Sequence, residues 1–278
     1  MLSYRHSFHA GNFADVLKHI IQVEVLEYLC QKDKAFDYID THAGAGIYSL
    51  TSDHAKKTGE FEQGIGRMVN TRIPEISGYL DAVKACNDKN RLQNYPGSPY
   101  IANQFLRSQD QANLFELHPA DFQTLNQLFQ SKRQIKVHKK DGYEGLLSLL
   151  PPKSRRGLVL IDPPYEVKED YQKTVSTIIQ AHKKFATGTF AIWYPVVDRA
   201  RIVQMLQSLK KSGIRRIQVY ELGLTADTKE HGMTASGMIV INPPWTLMDR
   251  MKIVLPKLLA TIDANNTGFY QHDELVGE

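Results

Sequence analysis

The stretch that most constrains the fold runs from Gly157 to Tyr165. Leu158-Val159-Leu160-Ile161 is an unbroken apolar run that leads directly into Asp162-Pro163-Pro164-Tyr165. A run without polar alternation predicts a strand buried on both faces, as in a parallel sheet covered by helices. Two successive prolines end it, because each lacks an N–H donor and fixes φ. The strand therefore stops at Asp162. Its carboxylate is left at the carboxyl edge of the sheet, where open α/β folds bind ligands.

That layout suits one chemistry. An exocyclic amine on a nucleobase is a poor nucleophile, since its lone pair is delocalised into the ring. A carboxylate and a backbone carbonyl that accept from the NH2 favour a pyramidal nitrogen and free the lone pair. An aromatic ring can stack on the base at about 1–3 kcal/mol. Asp162, the Pro163 carbonyl and Tyr165 fit these three tasks. The motif resembles the catalytic motif of S-adenosylmethionine-dependent amino methyltransferases. On four letters alone, a strand ending in an Asp-capped proline turn reads equally well.

The chain carries a second copy of the pattern. Gly237-Met238-Ile239-Val240-Ile241 runs into Asn242-Pro243-Pro244-Trp245. Only 33 residues follow Trp245, too few for the sheet that a doubly wound fold needs beyond its catalytic strand. After Tyr165 there is room for helix, strand (Thr189–Tyr194), helix and a terminal strand pair. Position therefore selects Asp162. Asn242 and its neighbours are expected to be mainly structural, or a wall of the site.

With 278 residues, 42% of them hydrophobic, the chain can form one large α/β domain with an insertion. A formal charge of +4 permits a nucleic-acid partner without demanding one. Cys30 and Cys86 have no spacing that suggests a disulfide framework or a zinc site, which fits a reducing cytoplasm. No apolar run approaches the roughly 18 residues of a membrane span. The polar, histidine-rich start is no secretory signal. His6 and His9 have helical spacing, but no cysteine or carboxylate completes a ligand set, so no metal is expected.

In chain order, Asn12 reads as an N-cap with Asp15 as its acidic partner, opening a helix to about Gln31. Phe13, Val16, Leu17 and Ile20 form its early apolar face. Lys18 and His19 lie off that stripe and can face a site. Tyr4, Arg5, His6 and His9 precede it, either as a solvated basic lead or as ordered groups beside an acceptor base. Ala35–Asp40 is the first strand, entering Thr41-His42-Ala43-Gly44-Ala45-Gly46. That turn lets a backbone approach a ligand, with Asp40 and His42 flanking its path; a tight turn alone also needs two glycines. Residues 47–96 break the α/β rhythm and read as a small helical insertion. Ser98 is expected to cap a helix that has Pro99 in its first turn and runs to about Gln109. Asn113–Leu117 is the second strand. Glu116 at its end is placed to accept from ribose hydroxyls, or is a surface acid. After a third strand at Ile135–His138, Asp141-Gly142 can meet an adenine or form an ordinary turn. Arg215–Leu222 and Gly237–Ile241 are the last strands expected. The final sixteen residues read as polar and loosely ordered.

The motif order, and six longer stretches, resemble one family. These are Leu2-Ser3-Tyr4-Arg5-His6-Ser7-Phe8-His9-Ala10-Gly11-Asn12, Asp40–Gly46, Tyr95-Pro96-Gly97-Ser98-Pro99, Ile161–Tyr165, Trp193-Tyr194-Pro195-Val196-Val197 and Met233–Trp245. The chain is similar across nearly its whole length to the bacterial RlmJ family of 23S ribosomal RNA adenine-N6 methyltransferases. The resemblance implies a Rossmann-like class I fold: a mostly parallel seven-stranded sheet formed by residues 1–46 and 97–278, with a helical subdomain at 47–96. It implies S-adenosyl-L-methionine as methyl donor, with contacts at His19, His42, Ser98, Glu116, Asp141, Gly142 and Asp162. It makes Asp162 catalytic and gives Tyr4, His6 and Lys18 to the substrate side, beside Pro163 and Tyr165. The expected partner is 23S rRNA, bound by a cytoplasmic monomer without membrane or metal. An adenine-N6 DNA methyltransferase, a protein glutamine methyltransferase and a nonenzymatic RNA-binding protein are the rival readings; the intact Asp162, Glu116 and glycines argue against the last.

Overall fold

The structure, a computed structural model, describes residues 4–88, 91–228 and 232–278; Leu2 and Ser3 of the polar lead lie outside them. A 3-10 turn (His6–Phe8) and the long helix α1 (Phe13–Cys30) precede strand β1 (Asp37–Asp40). An excursion follows: β2 (Ile47–Ser49), α2 (Asp53–Thr58), α3 (Glu60–Gln63), α4 (Ile65–Met68), α5 (Ser77–Ala85) and β3 (Asn94–Pro96). Alternation then resumes with α6 (Ser98–Phe105), β4 (Gln111–Phe115), α7 (Pro119–Phe129), β5 (Ile135–His138), α8 (Gly142–Leu149) and β6 (Gly157–Ile161). It continues through α9 (Glu169–Lys184), β7 (Thr189–Val196) and α10 (Arg199–Lys211). The chain closes with β8 (Ile217–Gly223), β9 (Ala235–Ile241), α11 (Leu247–Ile262) and β10 (Phe269–Val276).

The main sheet has the order β10-β8-β9-β7-β6-β1-β4-β5. The five strands from β5 to β7 run parallel, whereas β9 is antiparallel to both β7 and β8. The expected α/β sheet forms, with one strand more than seven. The additional strand corrects the reading of the final sixteen residues as loosely ordered: β10 pairs antiparallel with β8 from Phe269 to Val276. An edge strand needs only one paired side, and the exposed Gln271-His272-Asp273-Glu274 run has no apolar alternation to reveal it.

β6 lies in the middle of the sheet and is buried at every residue. Leu158 and Leu160 enter one core while Val159 and Ile161 enter the other, as the two-residue period of a strand requires. α1, α6, α11 and the excursion cover the first face; α8, α9 and α10 cover the second. α1 starts where the Asn12 side chain accepts from Asp15 N at 3.0 Å. It is buried at 15 of its 18 residues, because it packs on β9, β6 and β7 below and on α5, α6 and α11 above. Polar residues on this helix must therefore find partners inside the protein.

The reading of Ser98 as an N-cap needs correction. Gly97 occupies that position without a side-chain bond, and Ser98 is the first helical residue, its hydroxyl turned to Asp40 at 2.7 Å. An added Cβ at Gly157 would lie 2.2 Å from the Asp37 carbonyl oxygen in the neighbouring strand. Gly157→Ala is expected to lower unfolding free energy by about 1–3 kcal/mol. Urea denaturation measures it, and unchanged stability would show slack at the entry to β6.

Candidate active site

The parallel strands deliver their carboxyl-terminal loops to one edge, where a cavity of about 460 Å³ opens. Tyr4, His6, Lys18, His19, His42, Ser98, Glu116, Asp162, Pro163 and Tyr165 all line it. Ten of the expected positions thus converge from segments far apart in sequence. Asp141 and Gly142 stand outside the lining. The Asp141 carboxylate instead caps α8 through Tyr143 N (2.9 Å) and Glu144 N (3.1 Å), and its other oxygen accepts from Lys173 at 3.0 Å.

One half of the cavity is polar. Gly44 adopts a φ of +62°, and a Cβ there would meet the Tyr48 hydroxyl at 2.0 Å, so only glycine closes this turn. Its N–H donates to Glu116 Oε2 at 2.8 Å, while His118 N donates to Oε1 at 2.6 Å. Burial pushes the Glu116 carboxyl up. Asp40, fully buried, accepts from Tyr38 and Ser98 hydroxyls, both at 2.7 Å, and burial lifts its pKa to about 6. Burial also lowers His42 to about 4 and His19 well below its ordinary value, so both rings are neutral at pH 7. His19 Nδ1 lies 2.8 Å from the Tyr95 hydroxyl, but its Nε2 is buried with no partner in the protein. A buried polar atom lacking a hydrogen bond costs about 1–3 kcal/mol, so a polar ligand group fits against it.

The other half is more apolar. Pro163, Pro164 and Tyr165 meet Trp193, Pro195, Val197 and Met233. Tyr165 has a φ of +49°; its hydroxyl donates to the Trp193 carbonyl at 2.8 Å and its ring packs on Tyr171. Trp193, Pro195 and Val197 alternate along one side of β7 and beyond its end. The sequence marked them only as strand, although their two-residue spacing past Tyr165's neighbour strand was the available signal.

Lys18 joins the halves. Its ammonium, 5% exposed, lies 2.6 Å from Asp162 Oδ2 and 2.8 Å from Asp15 Oδ1. It also stands 5.9 Å from the centre of the Trp193 ring. Burial works against its charge, yet the two carboxylates hold its pKa well above the ordinary lysine value. At the mouth, the Tyr4 hydroxyl and His6 Nδ1 are 2.9 Å apart, and His6 Nε2 is 2.9 Å from Asp15 Oδ2. Among the described residues, no group of three or more His, Cys, Asp or Glu side chains could hold a metal ion, and no helix is long and apolar enough to cross a membrane.

The second copy of the motif lies elsewhere, so it forms no wall of this site. β9 runs against β7, which pairs Ile241 with Phe190 and carries Asn242 to the opposite edge of the sheet. There Asn242 Nδ2 donates to the Ala186 and Gly188 carbonyls at 2.7 and 2.9 Å, and Trp245 is 74% exposed beside a separate hollow. The role of Asn242 is structural, as its position in the chain suggested.

A glycine turn after the first parallel strand, an acid after the second and Asp-Pro-Pro-Tyr after the central one define a Rossmann-like methyltransferase. A family model described as Ribosomal RNA large subunit methyltransferase D, RlmJ, matches residues 33–276. Two proteins named Ribosomal RNA large subunit methyltransferase J, from Escherichia coli and Haemophilus influenzae, are 53% and 51% identical to the chain; each alignment covers 96% of both proteins. A crystal structure of a Legionella pneumophila protein superposes with a TM-score of 0.89 at 38% identity, covering 96% of this chain and 98% of that one. A probable spermidine synthase from Corynebacterium glutamicum, 12% identical with a TM-score of 0.54 over 97% of this chain and 78% of that one, shares the fold alone. This chain belongs to the RlmJ family.

Asn242→Ala is expected to cost about 2 kcal/mol of stability through two lost hydrogen bonds and a left-handed backbone that alanine disfavours. Turnover of the folded variant stays near wild type. Denaturant unfolding run beside an activity assay separates the two, and a collapse of turnover in folded protein would place chemistry at the wrong edge.

Proposed function

We propose that this chain transfers a methyl group from S-adenosyl-L-methionine to the N6 amine of an adenine in 23S ribosomal RNA. The observation that carries the reading is the Asp162 carboxylate. Lys18 anchors it by Oδ2 between a polar and an apolar half-cavity, which leaves Oδ1 to accept from an amine. The names of the relatives, both large-subunit rRNA methyltransferases, support the RNA substrate.

Within this reading, Glu116, His19, His42 and Ser98 hold the donor, with Asp141 and Gly142 at the margin. The lone Nε2 of His19 and the close glycine turn at Gly44 fit a compact polar ligand. S-adenosylmethionine supplies a methyl on a sulfonium, which is electrophilic without further activation. Asp162 Oδ1 and the Pro163 carbonyl accept from the adenine NH2 and direct its lone pair. Tyr165, Trp193 and Pro195 form the apolar slot for the base, with Tyr4, His6 and Lys18 beside it. The protein's contribution is positioning and exclusion of water. A paired adenine must first leave its stack, at a cost of a few kcal/mol. Residues 47–96 are read as an insertion subdomain, since β2 and β3 pair with each other and close the excursion. The chain works as a cytoplasmic monomer.

A tritium-transfer assay on 23S rRNA, duplex DNA and protein is expected to label the RNA, at N6 of adenine. Asp162→Ala should lower turnover on the order of 100-fold or more, while calorimetry still detects binding of S-adenosylmethionine. Full activity in that variant, or label appearing only in DNA or protein, would end the proposal.

A further inference from the structure

The sequence marks Asp15 only as the acidic partner of a helix cap. The structure gives it more to do. Oδ2 accepts from Gly11 N at 2.8 Å and lies 2.9 Å from His6 Nε2, while Oδ1 lies 2.8 Å from the Lys18 ammonium. A cap needs neither His6 nor Lys18, and the Asn12 side chain already receives Asp15 N. Asp15 is 1% exposed, so its charge is held there at a desolvation cost that the cap alone would not offset.

We infer that Asp15 is a positioning residue for methyl transfer: it fixes the Lys18 ammonium against Asp162 and ties the Tyr4–His6 segment to that same ammonium. The inference rests on the reading of Asp162 given above. Tyr4, His6, Asp15, Lys18 and Asp162 form one unbroken line of contacts, each between 2.6 and 2.9 Å, from the cavity mouth to the catalytic carboxylate. Asp15 is its middle member. Lys18 touches two carboxylates, and only Asp15 is free of the reaction.

Removing Asp15's charge has a defined consequence. Burial favours a neutral Lys18, and one carboxylate partner instead of two opposes that less strongly. A neutral amine no longer pins Asp162 Oδ2. Asp162 then loses its fixed orientation and its counter-ion together, and a protonated or rotated carboxyl cannot accept from the adenine amine. In the wild type, burial acts to raise the Asp15 carboxyl, but His6 and Lys18 prevail and hold it well below the usual range. The other charged or titratable groups facing Asp15 are His19 on the same helix and, behind Asn12, Glu60 of α3.

The test is Asp15→Asn, assayed for methyl transfer to 23S rRNA across pH beside calorimetry with S-adenosylmethionine. Turnover should fall about 10- to 100-fold, with cofactor affinity nearly unchanged. In the variant, turnover should also drop as pH rises above about 8, whereas wild type stays level. Wild-type turnover in the variant overturns the inference. So does a loss with an unaltered pH profile, the signature of a cap alone. If Asp15→Asn does not fold, Asp15→Ser, which retains an oxygen for Gly11 N, carries the same expectations. If wild type itself labels no RNA, the reading of the site falls. If wild type labels RNA and the variants match it, only Asp15's role falls.

Discussion

Parallel strands set everything else. Because β1, β4 and β6 run the same way in adjacent positions, the loops after them emerge side by side. The glycine turn at Gly44, the acid at Glu116 and the carboxylate at Asp162 meet for that reason alone, with no contact needed to recruit them. The reversal at β9 has the complementary effect. It sends a nearly identical strand-and-proline sequence to the far edge, where Asn242 ties down the Ala186–Gly188 turn. Two similar motifs thus diverge in role through strand direction, and the letters of the motif have little part in it.

The second organising element is an ammonium buried between carboxylates. Isolated in the interior, Lys18 or Asp162 would carry a large desolvation penalty; together with Asp15 they are mutually satisfied. The arrangement also joins two parts of the chain that share no backbone pairing. α1 lies outside the sheet, yet its Lys18 reaches the end of the central strand, and the segment before it closes on the same cluster through His6. The site is therefore built from a helix and a sheet edge locked by charge.

Much of this was legible in the sequence where local chemistry was strong. The run from Leu158 to Tyr165 fixed a central strand and its end, and the glycine turn and Glu116 followed the expected order. The parts that were not legible depend on tertiary context. Asp15 looked like a cap because its sequence neighbours make one, while its extra partners, His6 and Lys18, become visible only once α1 is docked. Trp193, Pro195 and Val197 read as an ordinary strand, since a wall and a core look alike in apolar letters. β10 was missed because an exposed edge strand has no hydrophobic period. Ser98 was misplaced by one residue, since Gly97 fits the cap and frees the hydroxyl for Asp40.

The docking of α1 bears on how the chain reaches its native state. This helix is among the first segments to leave the ribosome, yet it packs on β9, which is among the last. Until β9 has been made, a helix with apolar residues on one side and unpaired Asp15 and Lys18 on another has no complete berth. Such long-range closure slows folding and keeps sticky surface open to other chains. A protein that modifies the ribosome's RNA, on the function proposed above, is thus itself completed only near the end of its own translation.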